Sequence, residues 1–267
     1  MMYKWENLTS NEIGKLDKKK SLVILPLASI EQHGPHLPVG TDTIILQSLI
    51  DKIIREIDIE GYNIVFAPLL QVGKSNEHIG FPGTITFSTT TYYSLIFDIA
   101  KSIALSGFKK LLLFNSHGGN TDMLNMISRD LRIELGIEVF VFDWWFTPFW
   151  SEALEELKES GKYGVFHACE LETSLMLNAR PETVHMELAV DEDPNKNLDN
   201  YNYTILGPYI TGWKTSDVTK SGIIGAPSYA TAEKGKKFYE YAVKKLRDIL
   251  VEIANIEYIN TNTQQSI

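Results

Sequence analysis

Acidic and imidazole side chains are concentrated in the loop that follows the first apolar run of the chain. Glu31, His33 and Asp42 lie close together there, and carboxylate and neutral imidazole groups are the usual ligands of zinc, manganese and iron(II). In an extended segment Glu31 and His33 point to the same side, because they are two residues apart. Asp42 has a second interpretation, since aspartate often caps a helix such as the one expected from Thr43. The loop therefore predicts a metal site. Asp42 could serve there as a metal ligand or as a helix cap, and the sequence does not decide between these roles.

A second polar group follows another apolar run and favours the metal interpretation. Residues 21–27 and 109–115 are short apolar runs, typical of strands buried on both faces of a parallel sheet. His117 comes directly after the second run. In open α/β sheets the C-terminal ends of the strands collect the active-site residues. We therefore expect His117 beside the carboxylates and the imidazole of the first loop, where it would serve as a ligand.

The elements that position these residues alternate between strands and amphipathic helices. Apolar runs predict two further strands, at 63–70 and 137–142. This alternation predicts an α/β fold in one domain, residues 1–267, with a disordered tail from about residue 258. Apolar residues at helical spacing predict helices over about 10–20, 43–58, 90–107, 121–134, 170–178 and 232–256.

The composition excludes several classes of protein. Of 267 residues, 44% are hydrophobic and 22% are charged, which is typical of a soluble globular chain. The net charge of -9 argues against nucleic acid or an anionic membrane as a partner, because both favour clustered Lys and Arg. The single cysteine, Cys169, excludes an intrachain disulfide, and we interpret it as a small buried apolar residue. With no signal segment or membrane-spanning run, the expected location is the cytoplasm.

Five groups of residues lie in order along the chain. They are Glu31-Gln-His-Gly with Pro38-Val-Gly-Thr-Asp42; Glu77-His78 with Phe81-Pro-Gly-Thr84; Asn115-Ser-His-Gly-Gly-Asn120; His167-Ala-Cys-Glu170-Leu-Glu172-Thr-Ser174; and Gly225-Ala-Pro with Ala230-Thr-Ala-Glu-Lys-Gly235. Together these motifs resemble the creatininase (creatinine amidohydrolase) family. The resemblance implies a three-layer α/β/α fold with a mainly parallel sheet, a two-metal site and a homo-oligomer, usually a hexamer. Within the family, the sequence is similar to members that do not act on creatinine, such as formamidopyrimidine nucleotide deformylases.

The resemblance also implies how metal ions are held. Two divalent ions per subunit are expected, zinc, manganese or iron(II), with Asp42 bridging them. Glu31 and His117 would complete one site, and His33 would belong to the other. Glu170 is predicted as the remaining ligand of that second site, with Glu172 as the alternative.

The need for a replacement ligand comes from a departure from creatininase itself. That enzyme has a ligand glutamate two residues after the histidine that matches His117, and this chain has Gly119 there. A tyrosine lies between them in creatininase, where this chain has Gly118. These differences argue against creatinine as the substrate.

Further residues take roles from the same resemblance. His167 matches a histidine proposed to shuttle protons, and Glu170 is predicted to act beside it as well as to bind metal. Ser75, with Gly118 and Gly119, is predicted to contact the substrate. Trp144 and Trp145 would line or cover the substrate, although a place in the core or in a subunit contact is equally open. Glu77 and His78 are interpreted as a loop-stapling pair or a subunit contact rather than as ligands.

These residues together predict a metal-dependent amidohydrolase. It would use a metal-activated water to hydrolyse a non-peptide C–N bond of a small molecule, either a cyclic amide or a formamide. A formamidopyrimidine nucleotide is slightly favoured as the substrate. Two alternatives stay open: a creatinine amidohydrolase proper, and a metal-binding protein of the same fold without turnover.

Overall fold

The computed structural model describes residues 1–145, 147–161, 164–193 and 212–256. The expected disordered tail from about residue 258 lies outside the described residues. None of the helices in the described ranges has the length and apolar character needed to cross a membrane.

A five-stranded parallel sheet forms the centre of the molecule. In chain order the strands are β1 (Met2–Lys4), β2 (Ser21–Leu27), β3 (Asn63–Phe66), β4 (Lys110–Asn115) and β5 (Glu138–Asp143). Their order in the sheet is β1-β3-β2-β4-β5, and every pairing is parallel. Every residue of β2 and β4 is buried, which explains why both strands read as continuous apolar runs rather than as alternating patterns.

Helices cover both faces of this sheet. Leu22 and Ile24 of β2 belong to the apolar cluster on one face, and Val23 and Leu25 to the cluster on the other, because successive side chains of a strand alternate in direction. The structure thus confirms the predicted three-layer α/β/α fold. The first face is covered by α2 (Thr41–Glu56), α5 (Thr147–Leu157), α6 (Glu170–Ala179) and α8 (Ala232–Asn255), and the second by α1 (Ser10–Lys15), α3 (Thr89–Leu105) and α4 (Thr121–Leu135).

Helix ends follow local sequence signals with small shifts from the prediction. The side chain of Thr231 caps α8 by accepting a hydrogen bond from Lys234 N. Gly136 ends α4 in a left-handed conformation. The side chain of Ser88 caps α3, and α2 begins at Thr41 instead of Thr43.

A small second sheet carries His167 and lies beside the C-terminal edge of the main sheet. It pairs β6 (Val165–His167) with β7 (Ile224–Gly225) in antiparallel fashion, and a short helix, α7 (Thr215–Val218), precedes β7. Between β6 and α6 the non-glycine residue Ala168 has φ 52°, an uncommon backbone conformation. This sharp turn lets His167 and the first turn of α6 face the same region.

Candidate metal centre

The loops that follow β2 and β4 lie side by side at the C-terminal edge of the sheet. β2 and β4 are neighbours, and the Ser116 backbone N–H donates to the Leu27 carbonyl at 2.8 Å, so the two loops begin next to each other. The first loop carries Glu31 and His33 and leads into α2, and the second carries His117. Adjacent parallel strands therefore bring together residues that are far apart in the sequence.

Asp42 lies at the centre of a buried cluster of carboxylates and imidazoles. Its Oδ1 is 3.7 Å from His33 Nε2, and its Oδ2 is 3.5 Å from His117 Nδ1. Glu31 Oε2 is 3.2 Å from the same nitrogen of His117, and Glu172 Oε1 is 3.7 Å from His33 Nε2. Each carboxylate oxygen of Asp42 thus faces a different histidine, and each histidine faces one further glutamate.

The cluster contains buried polar atoms that make no hydrogen bond. Glu31 Oε2 and His33 Nε2 are both in this state within the described part of the chain. Buried polar atoms without partners are costly and uncommon in native proteins. Ligand atoms from Glu31, Asp42 and His117, and separately from His33, Asp42 and Glu172, lie within 4.8 Å of one another. These two overlapping groups have the donor types and the spacing that fit two divalent cations sharing Asp42.

Neighbouring groups hold the ligand side chains in place. Ser29 Oγ donates to Asp42 Oδ2 at 2.5 Å, and His33 Nδ1 is 3.1 Å from the Glu31 carbonyl. That carbonyl can only accept, so His33 carries a hydrogen on Nδ1, and Nε2, which faces Asp42 and Glu172, is the nitrogen available to a metal ion. A carbonyl or carboxylate behind a histidine is the usual support of a metal ligand.

The charges of the cluster oppose one another across short distances. Burial lowers the pKa of His33, but the carboxylates of Asp42 and Glu172 outweigh it and raise the pKa well above its usual value. Burial also lowers the pKa of His117, but the carboxylates of Glu31 and Asp42 outweigh it and raise that pKa. Burial raises the pKa of Asp42, yet the two histidines lower it below its usual range. A site that attracts protons this strongly also attracts divalent cations, which compete with those protons for the same nitrogens.

The structure does not bring Glu170 to this cluster, which corrects the prediction that it binds metal and assists His167. Both oxygens of its carboxylate are engaged elsewhere: Oε1 accepts from Lys234 Nζ at 2.6 Å and from the Glu159 backbone N–H at 3.1 Å, and Oε2 accepts from the Ser160 backbone N–H at 2.9 Å. Burial raises the pKa of Glu170, but these donors lower it below its usual value. Glu170 therefore joins the start of α8 to the segment after α5.

Glu172 takes the place that was predicted for Glu170. Its Oε2 accepts from the Cys169 backbone N–H at 3.3 Å, as in a helix capping box, while Oε1 faces His33. Residues two apart on a helix point in nearly opposite directions, so only one of the two glutamates can face the cluster. The sequence offered Glu172 as the alternative, but the decisive contact of Glu170 with Lys234 links residues too distant in sequence to be foreseen.

A cavity of about 900 Å³ opens above the cluster. His167, Gly118, Gly119 and Trp145 line it, as predicted for groups that act on or contact a substrate. The indole Nε1–H of Trp145 donates to the Ser116 carbonyl at 2.7 Å, which fixes the ring at the cavity wall. Further lining residues that the sequence did not single out include Lys158, Phe166 and Trp213.

Two predicted substrate contacts lie away from this cavity. Trp144 is fully buried in the apolar core, where its ring packs against Trp150 with centroids 4.7 Å apart. Ser75 is also fully buried, and its Oγ lies 3.1 Å from His117 Nε2, on the side of the ring away from Glu31. The structure corrects both assignments: Trp144 is a core residue, and Ser75 supports a histidine.

A comparison with known protein families finds a match over most of the chain. Residues 6–250 match the family described as creatininase, creatinine amidohydrolase. The chain belongs to the creatininase family.

Relatives of this creatininase-family chain carry several names. A 3-dehydro-scyllo-inosose hydrolase of Thermotoga maritima is 26% identical over 92% of this chain and 83% of its own. A mycofactocin precursor peptide peptidase of Mycolicibacterium smegmatis is 28% identical over 85% of this chain and 83% of its own. Among solved structures, a creatininase mutant of the Zn-Zn type superposes with a TM-score of 0.77, at 25% identity over 95% of this chain and 98% of that one. The predicted family is confirmed, and two of these relatives are named for substrates other than creatinine.

Two residues that were not predicted as ligands, Glu77 and His78, border the candidate metal site of this creatininase-family chain. Glu77 and His78 line the cavity, and with Glu31 they form another group whose ligand atoms lie within 4.8 Å of one another. His78 Nε2 is 3.4 Å from Glu31 Oε1, and burial, then His167, lowers the pKa of His78. The glycine-rich loop that contains them follows a strand, as the loops that contain Glu31 and His117 do, and that position was the signal available in the sequence.

Proposed function

We propose that this protein is a metal-dependent amidohydrolase that cleaves the C–N bond of a cyclic amide or a formamide in a small molecule. The observation that carries the proposal is the pair of overlapping ligand groups around Asp42, with unpaired Glu31 Oε2 and His33 Nε2, at the base of a cavity of about 900 Å³. Membership of a family described as an amidohydrolase supports it.

Two divalent ions per chain fit these groups. Glu31 and His117 would hold one ion and His33 and Glu172 the other, with one oxygen of Asp42 toward each. Oxygen and nitrogen donors of this kind suit zinc, manganese or iron(II). When bound, such ions lower the pKa of a water molecule toward neutrality and polarise a carbonyl group.

His167 supplies proton transfer in this proposal. Its Nε2 lies 2.9 Å from the Gln32 carbonyl and 3.1 Å from the Gln32 side-chain amide nitrogen. The carbonyl is the nearer partner and can only accept, which favours the tautomer with the hydrogen on Nε2. The lone pair of Nδ1 then faces Glu31 Oε1, 3.8 Å away, at the cavity. Burial, and then the nearby His33, lowers the pKa of His167 and keeps its ring neutral at neutral pH. His167 Nδ1 can therefore accept a proton from the attacking water and return it to the leaving nitrogen.

The cavity wall would orient the substrate. Trp145 and Phe166 offer flat apolar surfaces, and the backbone of Gly118 and Gly119 leaves room for close approach. Lys158 is a cation in the same lining, which suits a substrate with an anionic group, such as a formamidopyrimidine nucleotide. The expected homo-oligomer, a hexamer by family resemblance, and the cytoplasmic location remain parts of this proposal.

The test combines metal analysis with a substrate screen. Protein purified without chelator would be analysed for zinc, manganese and iron, and then assayed on formamides, creatinine and other lactams, cyclic ureas, an inosose and a short peptide. We expect two ions per chain and hydrolysis of a formamide or a cyclic amide. Asp42→Ala should lose both metal and turnover, because both ligand groups contain Asp42.

The possible results separate the alternatives. Equal activity in wild type and Asp42→Ala would end the hydrolase proposal. Bound metal without turnover of any substrate would support the alternative of a metal-binding protein. Preference for the peptide or the inosose would overturn the restriction to cyclic amides and formamides.

A further inference from the structure

The ring of His117 has a second polar edge that the proposed chemistry does not use. Nδ1 faces Glu31 and Asp42, so Nε2 points to the opposite side of the ring. Three acceptors surround that nitrogen: the Lys74 carbonyl at 3.0 Å, Ser75 Oγ at 3.1 Å and Glu77 Oε1 at 3.3 Å. His117 is thus held between acidic groups on both edges of its ring.

The carboxylate of Glu77 occupies space that exists because residue 119 is a glycine. A Cβ at Gly119 would collide with Glu77 Oε1 and the Lys74 carbonyl, and would lie 2.5 Å from His117 Nε2. Gly119 does not have a positive φ, so its backbone conformation does not require glycine. What requires glycine here is the close packing of the Lys74 carbonyl, the His117 ring and the Glu77 carboxylate around this position.

Glu77 is directed at histidines rather than at a basic side chain. Its ion-pair contacts within the described ranges are with His117 and, at 4.0 Å, with His78. The side chain is 17% exposed and borders the cavity, so the carboxylate is partly shielded from water. A carboxylate placed this way strengthens a histidine ligand, since it accepts the ring N–H and increases the basicity of the opposite nitrogen.

We propose that Glu77 is a positioning residue that acts through His117: together with the Lys74 carbonyl, it holds the hydrogen of His117 on Nε2 and directs Nδ1 at the ion shared with Glu31. The inference rests on the proposed function, because it assigns Glu77 to the support of one of the two proposed ions. It replaces the earlier interpretation of Glu77 as a loop staple. It also gives Gly119 a role, which is to leave room for both acceptors behind His117.

The test measures the affinity of each ion rather than turnover. Zinc binding to metal-free protein would be followed by chelator competition in wild type, Glu77→Gln and Glu77→Ala. We expect the ion at Glu31 and His117 to bind about 10–100-fold more weakly in Glu77→Ala, and less weakly in Glu77→Gln, which keeps an acceptor oxygen. The ion at His33 and Glu172 should keep its affinity.

A matched control is available on the surface. Glu187 Oε1 lies 3.4 Å from His185 Nδ1 in an exposed carboxylate–histidine pair. Glu187→Gln removes the same kind of contact away from the cluster and should leave both affinities unchanged. The melting temperature of each metal-free variant would be compared with that of wild type, because a purely structural role would lower the melting temperature without selecting one ion.

The outcomes distinguish this inference from the proposed function. Wild-type protein that binds no ion defeats the proposed function and the inference with it. Two ions in wild type and unchanged affinities in both Glu77 variants defeat the inference alone. The absorption spectrum of the cobalt(II)-loaded protein gives a third check: an altered coordination number in Glu77→Ala would make Glu77 a ligand and overturn the positioning role.

Discussion

Two glutamates in the first turn of α6 have opposite surroundings. Glu172 faces His33 in the cluster, whereas Glu170 is buried against Lys234 and two backbone N–H groups. We therefore expect Glu172→Gln to reduce the bound metal to about one ion per chain, because it removes one ligand from one site. Glu170→Gln should keep both ions. Metal analysis of the two purified variants checks this, and the reverse order would return the ligand role to Glu170.

Glu170 should instead affect stability in a pH-dependent way. Removing a charged acceptor of buried hydrogen bonds costs about 1.5–3 kcal/mol of unfolding free energy. Since the folded-state pKa of Glu170 is depressed, its contribution is present above the unfolded pKa, near 4.3, and is lost as the pH falls through the folded value. The difference in unfolding free energy between wild type and Glu170→Gln, measured in urea, should be full at pH 7 and shrink below about pH 4.

His167 should be needed for turnover and not for metal binding. Loss of a general acid or base usually lowers kcat by about 10²–10⁴-fold. We expect such a decrease in His167→Gln, with both ions retained, because the ring Nδ1 is free to exchange protons at the cavity. His185→Gln, which changes an exposed imidazole, is the control. Loss of an ion from His167→Gln would contradict this and make His167 a ligand, because its ligand atom lies within 4.8 Å of those of Glu31 and His33.

Single residues were predictable where the local chain decides their direction. Glu31, His33 and His117 follow apolar strands directly, so their meeting at one sheet edge follows from parallel pairing. Glu170 and Ser75 were misassigned because their partners, Lys234 and the far edge of His117, are distant in sequence. Contacts of that kind become visible only once the elements have been packed together.

The segment between β5 and α5 turns two adjacent tryptophan side chains in different directions. Trp144 packs in the core with Trp150, and Trp145 lines the cavity. Trp144→Ala should lower the free energy of unfolding by about 3–5 kcal/mol. Trp145→Phe loses one hydrogen bond, worth about 1 kcal/mol, and should mainly raise KM. Urea unfolding and steady-state kinetics of both variants would check these two assignments. A loss of stability in Trp145→Phe alone would place Trp145, rather than Trp144, in the core.

The elements that the sequence indicated well are those with a strong local pattern. β2 and β4 are continuous apolar runs, and α8 begins at a threonine cap. The pair β6 and β7 was missed because each strand has only two or three residues, and because their pairing joins residues far apart in the chain. That pair matters for function, since it carries His167 to the cavity.

For the molecule as a whole, the strand order places the site where the chain changes direction across the sheet. After β2 the chain moves outward to β3, and it then crosses back to β4 and continues to β5. The loops after β2 and β4 consequently leave neighbouring strands toward opposite sides, and a crevice forms between them. The ligand groups around Asp42 lie in this crevice, which explains how an α/β fold with a buried, apolar sheet can hold a strongly charged cluster at its edge.

The same arrangement predicts that bound metal stabilises the whole fold. Without ions, buried carboxylates and histidines must share protons, and two polar atoms of the cluster make no hydrogen bond. An ion that binds only the folded chain adds about 2.7 kcal/mol when it is present at a hundredfold excess over its Kd. Chelation should therefore lower the melting temperature by several degrees, and zinc or manganese should restore it. Calorimetry of wild type and Asp42→Ala gives the check: the variant should not respond to chelator, and an equal melting temperature of wild type with and without chelator would contradict metal-linked stability.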